Sequence, residues 1–507
     1  MKKWIVFLLV TVILTTTLIM GWNQKEETQI NVEQETENIT LNWMIYGERY
    51  KEADVVFAEF NKRLQEYLPG VQVEFEVVDK DEYQERWDMK MAIGERVDLA
   101  WFGNDVMNYT EEVRKGSFMV LDYLLKTHGA SLSETIPEYM WNMEKIDGNI
   151  YGIPVEGPLY RSNCVMVFSE ILMKRFGNLE EMIEVNQSSP YTTKECFDVF
   201  EEFLQNAKDH NAIGTGVSYQ SVSRLADKGY EGIYGVDSPF VIGIFDEELT
   251  VYNKYELESY RACFETMADW YQKGFIKEDT RNLLDPSSED GKSKGSIMFM
   301  EEYGEKGTVP DMTKTEYDAV YADMEGYRYI GYDGCRNSIV IPKSAHYPQQ
   351  AVEIISLLYS EEGQELYRLL ANGIEKTHYI IVKDNIIARM SDNGDGYLYQ
   401  LSQNTIGNVW QNFETVEGEF QQIQEYNDEA LISPLMGFSL DTRMIALEME
   451  KVNLIVNQYR EELSEGSSED WEALYEEFIA AMKEAGSDKI IEEMQKQIDE
   501  FQQEQAG

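Results

Sequence analysis

Between Ile39 and Asp105 the apolar periodicity switches repeatedly between two and 3.6 residues, and this alternation constrains the fold more than any other feature of the chain. In "ITLNWMIYG", Ile39, Leu41 and Trp43 alternate with polar partners as a strand requires. "ADVVFAEFNKRLQEYLPG" then places Val55, Val56, Phe60 and Leu64 at helical spacing before a Pro-Gly stop. "VQVEFEVV" predicts a second strand, and a further helix-like stretch leads to "VDLAWFGND", a third short strand opening into a loop. This β-α-β-α-β order predicts a parallel sheet with helices on its faces. In such sheets ligands lie beyond the carboxyl ends of the strands.

A chain of 507 residues exceeds what one core usually supports, so at least two lobes are expected. With 93 acidic against 44 basic residues, the net charge of -49 repels nucleic acid and anionic membranes and reads as a solubilising surface. Cys164, Cys196, Cys263 and Cys335 lie far apart, without the spacing of a zinc or redox motif. His128, His210, His346 and His378 are equally scattered, so neither metal nor cofactor is expected.

Lys2 and Lys3, an apolar run from Trp4 to Met20 and a polar exit from Asn23 have the order of an export signal, cleaved or retained as an anchor. Residues 1–22 form this segment, and residues 23–37 read as a disordered tether. Ile19, Met20 and Gly21 resemble the approach to a lipidated cysteine. Trp22 has no thiol, so no lipid is expected there.

Further on, "HYPQQAVEIISLLYSEEGQELYRLLANG" predicts two helices. Ala351, Ile354, Ile355 and Leu358 form the stripe of the first. Ser360 is expected to cap the second, with Glu361 and Glu362 at its positive end and Asn372-Gly373 closing it. In the tail, Ile445, Met449, Val452, Val456, Tyr459 and Leu463 keep to one helical face. Trp471, Leu474, Tyr475, Phe478 and Met482 do the same after a "SEGSSED" break. Gly486 ends that helix, and "SDKIIEEMQKQIDEF" supplies a last one.

"IDGNIYGIP" (146–154) joins a tight turn to a straight exit. It resembles a hallmark of bacterial extracellular solute-binding proteins of family 1, the ligand-catching subunits of carbohydrate ABC importers. "KGSIMFM" (294–300) and the paired helices are similar to other family segments. "NGIEKTHY" (372–379), "IGNVW" (406–410) and "AGSDKIIEEMQKQIDEF" (485–501) resemble the larger members, which carry an extra C-terminal helical domain. The resemblance implies an α/β, periplasmic-binding-protein-like type II fold of two hinged three-layer lobes. Residues 38–156 plus 333–372 would form the N-terminal lobe, and 157–332 plus 373–507 the C-terminal lobe with the helical tail. The hinge would lie near "YGIPVEG", near "YDGCRN" and just after Gly373. The implied protein is a monomer that catches a saccharide and delivers it to membrane permease subunits.

A sugar offers apolar C–H faces to aromatic rings and a rim of hydroxyls to paired donors and acceptors. Strand-following loops supply both kinds of group: Tyr46, Trp101, Phe102, Asn104, Asp105, Glu156, Tyr160, Arg161, Tyr332, Asp333, Arg336, Asn337 and Trp410 are the candidate ligand contacts. Trp43 alternates with Ile39 and Leu41 and is expected in the core. A secreted glycoside hydrolase is the enzymatic alternative, since it shares the export signal, rings and carboxylates. A peptide ligand or a membrane sensor would keep the fold and change its use. "SDNGDGYLYQLS" (391–402) has part of a calcium-loop pattern, but Ser402 replaces the bidentate Glu, so a simple turn is expected.

Overall fold

The computed structural model describes residues 38–47, 49, 51–103, 106–155, 159–160, 164–210, 217, 219–235, 237–276, 297–301, 319–332, 337–383, 386–390, 411–412 and 425–506. The export segment, the tether and the 391–402 pattern lie outside them. No described helix is long and apolar enough to cross a membrane.

The first sheet contains β1 (Ile39–Tyr46), β2 (Val71–Val78), β3 (Leu99–Gly103), β4 (Gly152–Pro154) and β5 (Asn337–Val340), in the order β2-β1-β3-β5-β4. As the periodicity predicts, β1 pairs in parallel with β2 and β3. β5 then enters antiparallel between β3 and β4, so the sheet is mixed. Leu41, Trp43 and Ile45 face one core, and Met44 is buried in another on the opposite face. A central strand covered on both sides therefore hides more than its one-sided alternation suggests.

Helix α1 (Ala53–Leu64) buries Ala53, Val56, Phe57, Phe60 and Leu64. Val55, expected on the buried stripe, is 53% exposed and Phe57 takes its place. Helix α2 is Lys80–Ile93. At the start of β3 the fully buried Asp98 accepts the backbone N–H groups of Asn42, His346 and Tyr347 at 2.9, 2.7 and 3.2 Å. It also pairs with Arg96 at 2.7 Å. One carboxylate thus ties the sheet to the chain entering α3 (Pro348–Tyr359), although 248 residues separate Asp98 from His346.

The "IDGNIYGIP" segment has a physical basis. Asp147 and Gly148 both have positive φ, 49° and 76°, as a two-residue hairpin turn of the primed type requires. Lys145–Ile146 accordingly pairs with Asn149–Ile150. A Cβ at Gly152 would run into the Glu144 carboxylate and come within 3.1 Å of Ser338 and the Tyr109 hydroxyl. Only glycine lets β4 pass so close to the buried Glu144, which accepts a 2.6 Å hydrogen bond from Ser338.

Helix α3 buries its predicted stripe, and the Tyr359 hydroxyl donates to the Pro154 carbonyl at 2.7 Å. Ser360 acts differently from expectation. It ends α3, and its hydroxyl accepts the Gly363 N–H, so α4 (Gln364–Asn372) begins three residues after Glu361. Gly373 closes α4 as expected.

A third core gathers around Val165–Ser169, the middle strand of an antiparallel trio with Ile297–Glu301 and Ala319–Asp323. It includes the helix Glu258–Gln272 and the tail helices α5 (Ala446–Glu465), α6 (Trp471–Ala485) and α7 (Ser487–Ala506). Of the predicted tail stripes, Ile445, Val452, Val456, Leu463, Tyr475, Phe478 and Met482 are buried there, while Met449, Tyr459, Trp471 and Leu474 are partly buried against it; Ile490, Met494 and Ile498 of α7 are buried too. Each such side chain contributes about 1.5–3 kcal/mol on leaving water. Asp470 caps α6 by accepting the Ala473 N–H at 3.1 Å. Cys164, Cys196 and Cys263 are buried free thiols.

Two carboxylates of the first lobe predict an acid transition. Burial disfavours ionised Glu112 and Glu76, but hydrogen bonds outweigh it and lower both side chains below their ordinary value of 4.5. The donors are Lys115, Ser117 and Trp87 to Glu112, and Lys90 and Arg86 to Glu76. This stabilisation is therefore complete above pH 4.5 and disappears as pH falls through the lower folded-state values. The melting temperature is expected to drop as pH falls below 4.5 in thermal scans. A flat or rising profile there would contradict these assignments.

Candidate functional site

The topology brings one end of each strand in the first sheet to a common edge. β1 ends at Tyr46 and β3 at Gly103, while the antiparallel β5 begins opposite Gly103 with Asn337. Val155, just beyond β4, donates its N–H to the Asn337 carbonyl at 3.0 Å. The carboxyl ends of the parallel strands therefore meet Asn337 and the chain leaving β4.

An aromatic wall stands at this edge. Tyr46 and Trp101 stack with centroids 4.4 Å apart and planes at 21°. Tyr83 of α2 meets Trp101 edge-on at 5.5 Å, and its hydroxyl donates to the Trp101 carbonyl at 2.7 Å. Trp101 is 6% exposed, whereas Tyr46 is half-buried. Burial pushes the Tyr83 phenol well above its ordinary pKa, so it remains a neutral donor that fixes the wall. Such a pair of rings offers the flat apolar contact that a pyranose face requires.

On the other side, the buried Glu231 accepts the Tyr332 N–H at 2.9 Å, the Ser433 hydroxyl at 2.6 Å and the Tyr329 hydroxyl. The Tyr332 hydroxyl in turn accepts the Tyr234 N–H at 2.6 Å. Near the exit from β4, Asn427 Oδ1 accepts the N–H groups of Leu159 and Tyr160, each at 3.0 Å. Tyr160 packs edge-on against Tyr426, whose ring lies under the Arg328 guanidinium at 3.5 Å. These polar clusters fix the connections entering and leaving the first sheet.

Residues 434–503, most of the helical tail, match a family model described as a domain of unknown function, DUF3502. A carbohydrate ABC transporter substrate-binding protein of Streptococcus pneumoniae is 22% identical over 463 residues, 90% of this chain and 89% of that protein. The crystal structure of an N-glycan transport solute-binding protein, NgtS, from the same organism aligns with a TM-score of 0.70. Identity is 19%, and the match covers 91% of this chain and 99% of the other. The same protein in complex with Man1GlcNAc aligns at 0.62, with 19% identity and the same coverage. Across nine-tenths of its length the chain is thus similar to proteins named for carbohydrate or glycan transport. Its fold is that of the periplasmic-binding-protein-like sugar-binding proteins, as the sequence motifs imply.

Within this fold the sequence-derived candidates separate. Tyr46, Trp101 and Asn337 come together at the sheet edge. Phe102 does not join them: its fully buried ring packs in the core against Tyr109 and Phe118. The rings of Tyr160 and Tyr332, 1% and 5% exposed, are likewise enclosed, the latter against Phe438. Asn104, Asp105, Glu156, Arg161, Asp333, Arg336 and Trp410 lie outside the described residues. Trp43 is buried as expected.

Sequence reading missed Tyr83, Glu231 and Asn427. Tyr83 carried a usable signal, a phenol on the helix that follows β2. Glu231 and Asn427 carried none, because their partners lie about 100 to 270 residues away in sequence.

Proposed function

We propose that this protein is an exported solute-binding protein that captures an oligosaccharide between two hinged lobes and hands it to an ABC importer. The observation that carries this reading is the match across nine-tenths of the chain to a carbohydrate ABC transporter substrate-binding protein, joined to a stacked aromatic pair at the ligand-binding end of the sheet. Residues 38–156 plus 333–372 form one lobe in this reading, and 157–332 plus 373–507 the other. Tyr46, backed by the buried Trp101, stacks on a sugar face, and Asn337 meets hydroxyls. Asn104, Asp105, Glu156, Arg161, Asp333, Arg336 and Trp410 complete the hydrogen-bonding rim.

Capture is a physical event without bond making. Contacts to both lobes form together only when the cleft shuts, so binding free energy shifts the population towards the closed arrangement. The permease reads that closure. The mature protein works as a monomer outside the membrane, held by its uncleaved N-terminal segment or released, and carries no lipid at Trp22.

Calorimetry with Man1GlcNAc, longer mannose-containing glycans and peptides of similar size tests the reading, with mass spectrometry of the recovered ligand. Stoichiometric binding of a glycan recovered intact is the expected result. Release of new reducing ends would replace this reading with hydrolysis, and selective peptide binding would replace the ligand class.

A further inference from the structure

We propose that the short helix Tyr109–Lys115 and the segments at Tyr234 and Asp441 form a latch between the lobes that slows ligand release. The proposal rests on the hinged two-lobe reading above. Glu111 and Arg114, three residues apart, are neighbours on one face of this helix. Arg114 Nη1 lies 3.4 Å from Asp441 Oδ1. The Tyr234 phenol lies close enough to the Glu111 carboxylate that burial and this negative charge hold its pKa above the ordinary value. Beside them the backbones themselves approach, since a Cβ at Gly437 would sit 3.4 Å from the Asn142 carbonyl oxygen.

Both sides of the latch are held in place before they meet. Asn108 caps the short helix by accepting the Glu111 N–H at 2.9 Å. Opposite, Asp441 accepts the Arg443 N–H at 3.0 Å and two side-chain bonds from Arg443 Nε at 2.9 Å. Those bonds, with the charge of Arg114, keep the Asp441 carboxyl far below its usual range and hence ionised. Tyr234 has φ of 67°, a conformation that residues with a Cβ rarely adopt. It is kept there by the hydrogen bond from its N–H to Tyr332, which is itself anchored on the buried Glu231. Backbone strain maintained by a buried network marks positions where geometry serves a switch or clamp.

None of these groups belongs to the stacking wall, so the latch acts on closure and not on ligand contact. A partly exposed ion pair and a polar contact beside it together alter the closed-to-open ratio by about three- to tenfold. That factor appears in the release rate, because contacts formed only on closure must break before the ligand leaves.

The test uses the full mature chain with Man1GlcNAc as probe, comparing wild type with Arg114→Ala, Tyr234→Phe and the double variant. Stopped-flow release is expected to accelerate about threefold in each single variant and up to about tenfold in the double, with association unchanged. Raising salt to about 1 M should speed release from wild type more than from Arg114→Ala, since it screens the ion pair. Small-angle scattering adds a readout independent of probe affinity. The double variant without probe is expected to have a larger radius of gyration than wild type. Equal release rates and equal radii would overturn the latch, even if wild type contracts on binding. Tight binding without any contraction of wild type would instead overturn the hinged reading beneath it.

Discussion

Tyr46→Ala is expected to weaken glycan binding by about 30-fold, or about 2 kcal/mol, the scale of a central aromatic anchor. The ring stacks on Trp101 at the end of β1 and is only half-buried, so truncation removes a ligand-facing surface without opening the core. Tyr46→Phe keeps the stack and should remain within about threefold of wild type if ring area dominates. Trp101→Ala is a poorer probe. Trp101 is 6% exposed, and its removal would also destabilise the lobe by about 3–5 kcal/mol. Calorimetry on Tyr46→Ala, accompanied by a melting curve, checks the assignment. Wild-type affinity in a folded variant would remove the aromatic wall from the site.

The second large effect concerns stability. Glu231→Ala is expected to lower unfolding free energy by about 3–5 kcal/mol, because buried donors would lose a charged acceptor and water could not replace it. The Tyr332 N–H and the Ser433 and Tyr329 hydroxyls are those donors. They lie on two chain segments, one on each side of a strand pair, so the loss also loosens the pairing of Tyr329–Ile330 with Leu431–Ile432. Urea unfolding monitored by tryptophan fluorescence would show the midpoint shift. An unchanged midpoint would mean that these segments are held by apolar packing alone. Glu231→Gln, which keeps one carbonyl acceptor but adds an amide facing donors, should fall between the two.

Much of the architecture was legible because burial imposes a period. β1 to β3 announce themselves by alternation, and α3 and the three tail helices by stripes that the structure buries almost residue for residue. Errors occurred where two residues competed for one face, as Val55 and Phe57 do in α1, or where a hydroxyl could cap either of two helices, as Ser360 does. The site was less legible. Proximity to a strand end selected Tyr46 and Trp101, which stack on each other, and Asn337 at the same end of the sheet, yet the same rule admitted Phe102, whose ring is buried in the core.

The sequence by itself determined the family motifs, the parallel β1 to β3 core, the I′ turn at Asp147-Gly148 and the helical tail. Each depends on residues close together in the chain, whose spacing or backbone freedom is written locally. Only the tertiary structure decided that β5 would enter antiparallel beside β3, and that Asp98 and Glu231 would be shared acceptors for distant segments. It also decided that Arg114 would face Asp441. Those arrangements join residues hundreds of positions apart. A charged or polar side chain gains a buried partner only after the chain has closed those long loops, and no periodicity along the sequence records which partner that will be.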